Sequence, residues 1–259
     1  MTILDEIIEY KKKEVASCKE LTAVEELIEM ELFSRPTYSL KQSILDPSRT
    51  GIISEFKRQS PSKGIINNQV KVEDVTTGYA RGGASGLSVL TDFNFFGGTI
   101  EDLQKARAVN TIPILRKEFI IDEYQITEAK AFGADAILLI AAVLNANEIE
   151  TLYKKANDLN LEVLLEIHDE EELSKINGHA DLVGINNRNL KTFEVDIENS
   201  IKLAGMLPAE MPKIAESGIS SPDMIKDLRT KGFDGFLIGE NFMKTAAPGE
   251  AFIEFVKVL

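Results

Sequence analysis

The chain has 259 residues, 44% hydrophobic and 27% charged, with 17 glycines and 8 prolines, the composition of a soluble globular protein rather than a disordered or fibrous one. Its 42 acidic against 29 basic residues give a net charge of −13, which repels phosphate backbones and anionic lipid and so argues against nucleic-acid and membrane partners. One cysteine, Cys18, allows no internal disulfide, and with His168 and His179 as the only imidazoles, zinc sites built on three histidines or on a cysteine cluster are excluded.

The first fifty residues read as a helical extension. Met1 to Glu6 is acidic and lacks an apolar core with a cleavage site, so no signal peptide is expected. Thr2 and Thr22 each precede a helical apolar pattern, Ile3, Ile7 and Ile8 and then Val24, Leu27 and Ile28. Thr22 with Glu25 fits a capping box, in which hydroxyl and carboxylate satisfy the free amides of a first turn. Pro36 interrupts the pattern, and Ser39 to Leu45 reads as a further short helix. Such a leader is either a packing or dimerisation element or a cover for one end of the domain that follows.

From Gly51 the pattern changes to short apolar or β-branched runs separated by helical stretches. The runs are 51–57, 86–90, 112–116, 136–140, 163–167, 182–185, 213–215 and 236–238, and helices are expected among others at 122–132, 146–159, 169–176 and 222–231. Runs without alternation suit strands buried on both faces, hence a parallel sheet. Four times a helix gives way to glycine, a small or polar residue and then a strand, at Gly83, Gly133, Gly178 and Gly232. Glycine at that point can take the left-handed conformation that ends a helix. Eight such units over about 200 residues predict an α/β fold, a (β/α)8 barrel, with residues 1–259 as one barrel domain of which 1–50 is the extension. A doubly wound open sheet is the alternative, disfavoured because no Gly-x-Gly-x-x-Gly follows the first strand. The longest apolar run, Ala136 to Leu144, is far short of the roughly 20 residues of a membrane helix, which makes a cytoplasmic protein the default reading.

Ionisable and amide side chains recur just where the strands end. Glu55 and Lys57 share one face of the first strand while Phe56 takes the other, so if Phe56 packs outward the charged pair points into the barrel mouth. Lys117 ends the third strand, Glu166 the fifth, Asn186 and Arg188 follow the sixth, Glu216 and Ser217 the seventh, and Gly239 and Glu240 the eighth. Barrels of this kind carry their active sites at those ends. A lysine and a glutamate confined there attract by about 4 kcal/mol at 4 Å with an effective dielectric of 20, enough to hold a lysine charged or a carboxylate ionised. Gly218 and Gly239 let backbone amides approach a phosphate after strands seven and eight, although the Glu240 carboxylate would repel it unless turned away. His168, two positions beyond Glu166, is placed to act as a base but reads as a hydrogen-bonded spacer. No phosphate-binding P-loop, nucleophile elbow or His-Glu-x-x-His is present, and nothing in the pattern supports a magnesium site.

These blocks together resemble the indole-3-glycerol phosphate synthase family. The resemblance is carried, in order, by Ser54-Glu55-Phe56-Lys57-Arg58-Gln59-Ser60-Pro61-Ser62, Leu90-Thr91-Asp92 with Phe95-Phe96-Gly97-Gly98, Leu115-Arg116-Lys117-Glu118-Phe119-Ile120, Leu165-Glu166, Gly184 to Leu190, Ala215 to Ile219, and Leu237 to Glu240. It implies a carbon–carbon lyase of tryptophan biosynthesis that needs no cofactor and no metal and acts on a phosphorylated small molecule, with a monomer as the simplest state. By similarity Lys117 is the general acid, Glu166 the later base, and Lys57, paired with Glu55, holds anionic groups. Asn186, Arg188, Glu216 and Ser217 would orient the ribulose hydroxyls and the lysines. Phe96, Phe119 and Leu190 would wall the aromatic ring with Ser60 and Pro61 at its rim, and Gly218, Gly239 and the Glu240 backbone would take phosphate. Gln59, Thr99 and Glu240 depart from the family's usual residues; Glu240 stands where a serine is frequent, which leaves the backbone amide and no hydroxyl to contact phosphate there. Other phosphate-binding barrels stay open on the residues alone: a phosphoribosyl isomerase, a Schiff-base aldolase using Lys57 or Lys117, or a barrel that only binds its ligand.

Overall fold

Alternation along each strand sorts its side chains between the two sides of one closed sheet. The structure, a computed structural model, describes residues 2–189 and 194–259. Eight parallel strands form the barrel: β1 (Ile52–Phe56), β2 (Gly86–Leu90), β3 (Ile114–Lys117), β4 (Ala136–Ile140), β5 (Glu162–Ile167), β6 (Leu182–Asn186), β7 (Lys213–Glu216) and β8 (Gly235–Ile238). Each pairs with its neighbours in sequence, and β8 returns to β1 with Leu237 opposite Ile53. The expected runs lie on these strands, offset by a residue or two at their ends. Ile53, Leu115, Leu138, Leu164, Ile214 and Leu237 point inward and pack together. Ile52, Phe56, Val89, Leu139 and Leu165 point outward against the helices. Both faces are apolar because both are covered, which is why the runs lack alternation.

The helices are α1 (Ile3–Leu21), α2 (Val24–Ile28), α3 (Leu40–Leu45), α4 (Val72–Arg81), α5 (Phe93–Phe96), α6 (Ile100–Val109), α7 (Glu123–Ala131), α8 (Ala146–Asp158), α9 (Ile197–Met206), α10 (Pro222–Thr230), α11 (Glu240–Met243) and α12 (Pro248–Val256). The four glycines of the repeat all take positive φ, between +76° and +90°, as their place at helix ends requires. The helix expected over 169–176 is instead a short 3₁₀ turn over Glu171–Lys175. At its start the Glu172 carboxylate accepts the backbone N–H of His168, and the Glu172 N–H donates to Asp169.

The extension engages both ends of the barrel. From α3, Leu40 and Ile44 join the inward-facing cluster and plug the end where the strands begin. Room for the plug comes from glycine: a Cβ on Gly86 would lie 2.5 Å from Leu40 Cδ1, and one on Gly235 would lie 3.0 Å from Ile44 Cγ2. Asp135, fully buried, clamps the segment leading into α3, accepting from Arg35 at 2.6 Å and from the Tyr38 N–H at 2.9 Å. At the opposite end, Ile3, Leu4 and Ile7 of α1 lie over the barrel mouth. There Lys11, buried, pairs with Asp92 at 3.0 Å and Glu118 at 2.9 Å.

The capping box expected at Thr22 and Glu25 is not formed. Thr22 instead ends α1, its N–H bonding to Cys18 O, and α2 starts from Ala23 with no side-chain cap. A capping box does form at the start of α1, between Thr2 and Asp5.

Candidate active site

Phe56 packs outward with Val72 and Tyr79, and that choice turns Glu55 and Lys57 into the mouth. Their side chains pair at 2.7 Å, and Ser88 Oγ donates to the other Glu55 oxygen at 3.1 Å. A Cβ on Gly239 would come within 2.8 Å of Glu55 Oε1, so the glycine after β8 leaves room for this carboxylate.

Lys117 stands at the centre. Its Nζ is 3.0 Å from Glu166 Oε2 and 2.6 Å from Glu216 Oε2, joining β3 to β5 and β7 across the barrel. Burial disfavours the ammonium, but the charges of Glu166, Glu216 and Glu55 outweigh it and hold Lys117 cationic above the ordinary lysine range. The two carboxylates are pushed apart. Glu166 is buried, which disfavours its charge, yet Lys117, His168 and Asn186 together hold it well below the usual carboxylate range. Burial pushes Glu216 up to about 7; Lys117 opposes this and the nearby Glu166 charge adds to it. Glu216 Oε1 is buried with no hydrogen-bond partner among the described residues. Asn186 Nδ2 donates to Glu166 Oε1 at 3.1 Å while its Oδ1 accepts the backbone N–H of Arg188 at 3.0 Å, tying β6 to the same cluster.

Beyond β7 the chain makes an unusual turn. Ser217 has φ of +67° and Gly218 +75°, two successive left-handed residues, one of them not glycine. Such a serine stores about 1–3 kcal/mol that its surroundings must supply. Asn187 does so, its Nδ2 donating to Ser217 O at 2.7 Å and its N–H to Glu216 O at 2.9 Å.

A cavity of about 320 Å3 gathers these groups. Glu55, Lys57, Lys117, Glu166, Asn186, Glu216 and Ser217 line it, as do Ser60, Pro61, Phe96, Phe119, Arg188, Gly218, Gly239 and Glu240. Leu190 lies outside the described residues. Phe96 and Phe119 stand 5.9 Å apart, tilted by 39°, as one wall. Glu240 is turned toward Lys63, 3.7 Å away. Among the described residues, no group of three or more His, Cys, Asp or Glu side chains is arranged to hold a metal ion.

Some members of the site escape a reading of the sequence. Ile3, Leu4 and Ile7 roof the cavity, and Lys244 lines it beside Glu240. The apolar periodicity of α1 marks a face to be buried but does not say against what. Lys244 carries a weak signal as the first basic residue after the Gly239 turn. Gly184 is needed for space: a Cβ there would collide with Glu216 Oε1.

A family model described as indole-3-glycerol phosphate synthase matches residues 4–255. Curated relatives with that name include one from Bacteroides thetaiotaomicron, 51% identical over 257 residues and covering 99% of this chain and 98% of the relative. Another, from Aliarcobacter butzleri, is 43% identical over 264 residues and covers 99% of each chain. Among solved structures, tryptophan synthase subunit alpha from Legionella pneumophila superposes with a TM-score of 0.62 at 13% identity, covering 86% of this chain and all of that one. The 3-hexulose-6-phosphate synthase of Salmonella typhimurium gives 0.63 at 15%, covering 80% and 97%. At such identities these structures speak to the fold, and the fold is the (β/α)8 barrel.

Proposed function

The chain belongs to the indole-3-glycerol phosphate synthase family, carboxy-lyases of tryptophan biosynthesis, and from that premise we propose how its barrel mouth performs the reaction. The substrate is 1-(2-carboxyphenylamino)-1-deoxyribulose 5-phosphate. Ring closure, loss of carbon dioxide and loss of water convert it to indole-3-glycerol phosphate.

The first bond joins the ring carbon that bears the carboxylate to the ketone carbon. Negative charge then develops on the ketone oxygen, and Lys117, cationic between Glu166 and Glu216, donates a proton to it. Departure of carbon dioxide restores the aromatic ring. The apolar wall of Phe96 and Phe119 favours a neutral product over the carboxylate. Dehydration then needs a base for the proton on the carbon beside nitrogen and an acid for the departing hydroxyl. Glu166, held as the anion, is the base, and Lys57, paired with Glu55, is the acid. Asn186 and Glu216 orient Glu166 and Lys117 from either side.

Phosphate goes to the turns at Ser217-Gly218 and Gly239-Glu240, with Lys57 and Arg188 supplying positive charge in an otherwise acidic protein. The Glu240 carboxylate, drawn to Lys63, leaves its backbone for that role. A positioned acid and base typically give 10²- to 10⁴-fold each, and holding ring carbon and ketone together supplies much of the rest. Residues 1–259 act as one barrel domain in this reading, since α1 roofs the site and α3 plugs the barrel. A cytoplasmic setting belongs to the same proposal; among the described residues no helix is long and apolar enough to cross a membrane.

The observation that carries the reading is the grip of two carboxylates, from β5 and β7, on the one lysine of β3. Purified protein without added metal or nucleotide should convert the carboxyphenylamino substrate to a product with indole fluorescence. Folded protein that produced none would refute it.

A further inference from the structure

His168 follows β5 directly, and its imidazole is 11% exposed. Nε2 lies 3.0 Å from Glu166 Oε1, off the line of a hydrogen bond, and Nδ1 lies 3.4 Å from Glu172 Oε2. The backbone around it is pinned as well: the His168 N–H donates to Glu172 at 2.7 Å, and its carbonyl accepts from Asn199 of α9 at 3.2 Å. The ring does not line the cavity. Whatever it does for the reaction, it does through Glu166.

An ionised carboxylate can only accept hydrogen bonds. Two carboxylates within 3.4 Å of one ring favour its cation, because a neutral imidazole would leave both facing a group with no charge to balance theirs. We propose that His168 is a positioning residue for the reaction: as an imidazolium seated between Glu166 and Glu172, it fixes the orientation and the negative charge of the Glu166 carboxylate that removes the proton from the substrate. This rests on the reading of Glu166 as base given above.

The surroundings favour the charge. Burial opposes it, but Glu166 and Glu172 push the imidazole up to about 10. From β3 and β7, Lys117 and Glu216 face it only across Glu166. Asp169 is engaged with the Glu172 N–H, and Glu170 pairs at the surface with Lys202 of α9. The reaction itself makes a second cation useful. Lys117 is shared between two carboxylates and gives up its proton to the substrate, and at that moment Glu166 loses part of its compensation. His168 touches no substrate and keeps its charge through the cycle.

Two histidines make the test direct. In NMR titrations the wild-type chain has two imidazole signals, and the one missing from His168→Asn is that of His168. It should stay at the charged position through pH 8, and in Glu172→Gln its titration should move to lower pH. In kinetics, His168→Asn should lower kcat roughly 10-fold, part of what a positioned base contributes, with KM changed far less. The acid limb of its kcat profile should move to higher pH, because Glu166 without its neighbouring cation holds a proton more tightly. A packing role alone would lower the melting temperature and leave the shape of that profile untouched. The proposal is overturned if His168 is neutral at pH 7.5 in the wild type, or if folded His168→Asn keeps the wild-type profile. Should that variant not fold, the wild-type and Glu172→Gln titrations decide. A wild type that turned over no substrate would instead sink the reading of the site, and the titration would still report the state of His168.

Discussion

Gly184 on β6 and Glu216 on β7 face each other inside the barrel so closely that a Cβ on Gly184 would collide with Oε1 of Glu216 and lie 3.1 Å from its carboxyl carbon. Glycine at this inward position is thus what lets a full carboxylate turn toward Lys117. Gly184→Ala should displace Glu216 from Lys117, costing about 1–3 kcal/mol of stability by overpacking and lowering kcat more than substrate binding. Steady-state kinetics with a thermal melt check this; wild-type kcat in a folded variant would show that the carboxylate has room elsewhere.

Lys117 and Glu166 are assigned to the chemical steps, so their loss should appear in turnover. Lys117→Ala and Glu166→Gln should each lower kcat by about 10²- to 10⁴-fold while the substrate dissociation constant changes far less. Single-turnover kinetics with equilibrium binding separate the two. Equal losses in rate and affinity would contradict the acid and base roles.

Burial raises the Glu216 carboxyl to about 7 from an ordinary 4.5, against the pull of Lys117. A carboxyl raised on folding stabilises the native state in its protonated form. That contribution is complete below pH 4.5 and is lost as the pH climbs through 7. Glu216→Gln does not titrate, so its melting temperature relative to wild type should rise between pH 5 and pH 8. A relative melting temperature that stayed level or fell would mean that Glu216 is ionised throughout.

Lys11 is enclosed with Asp92 and Glu118, and it ties α1 to the rim of the mouth. Lys11→Met would leave two buried carboxylates without their shared cation, at a cost of about 3–5 kcal/mol. Urea unfolding gives the loss directly. Because α1 carries Ile3, Leu4 and Ile7 over the cavity, KM should rise as well.

At the other end, Leu40→Ala should cost about 2–5 kcal/mol for the cavity it leaves in the plug, with kcat unchanged in the folded enzyme. The contrast with Lys11→Met would separate the two ends of the extension, one contributing to stability alone and the other also to the site. A drop in kcat for Leu40→Ala would overturn that division.

Much of this was open to a reader of the sequence. The eight strands were legible because a parallel strand is covered on both sides, and an unbroken apolar run records that cover locally. The phase of β1 was legible too: with Phe56 outward, Glu55 and Lys57 must share the inner face, since side chains alternate by two. Glycine at the helix ends marked where each strand begins. Less legible were the features in which one segment answers another. Thr22 reads as a cap until α1 is seen to continue to Leu21, and residues 169–176 read as a helix where the folded chain makes only a short 3₁₀ turn.

What the sequence by itself determined, then, is the number of strands, their inner and outer faces, and the clustering of acids and bases at their carboxyl ends. Those properties are periodic and local, carried by neighbours two to four residues apart. Only the closed barrel decided that Lys117 would share its charge with carboxylates 49 and 99 residues away, that α1 would roof the mouth, and that α3 would seal the opposite end. Such pairings depend on strand register, closure and the space left by particular glycines. An amphipathic face states that it must be covered, and the packing of the whole chain chooses the partner.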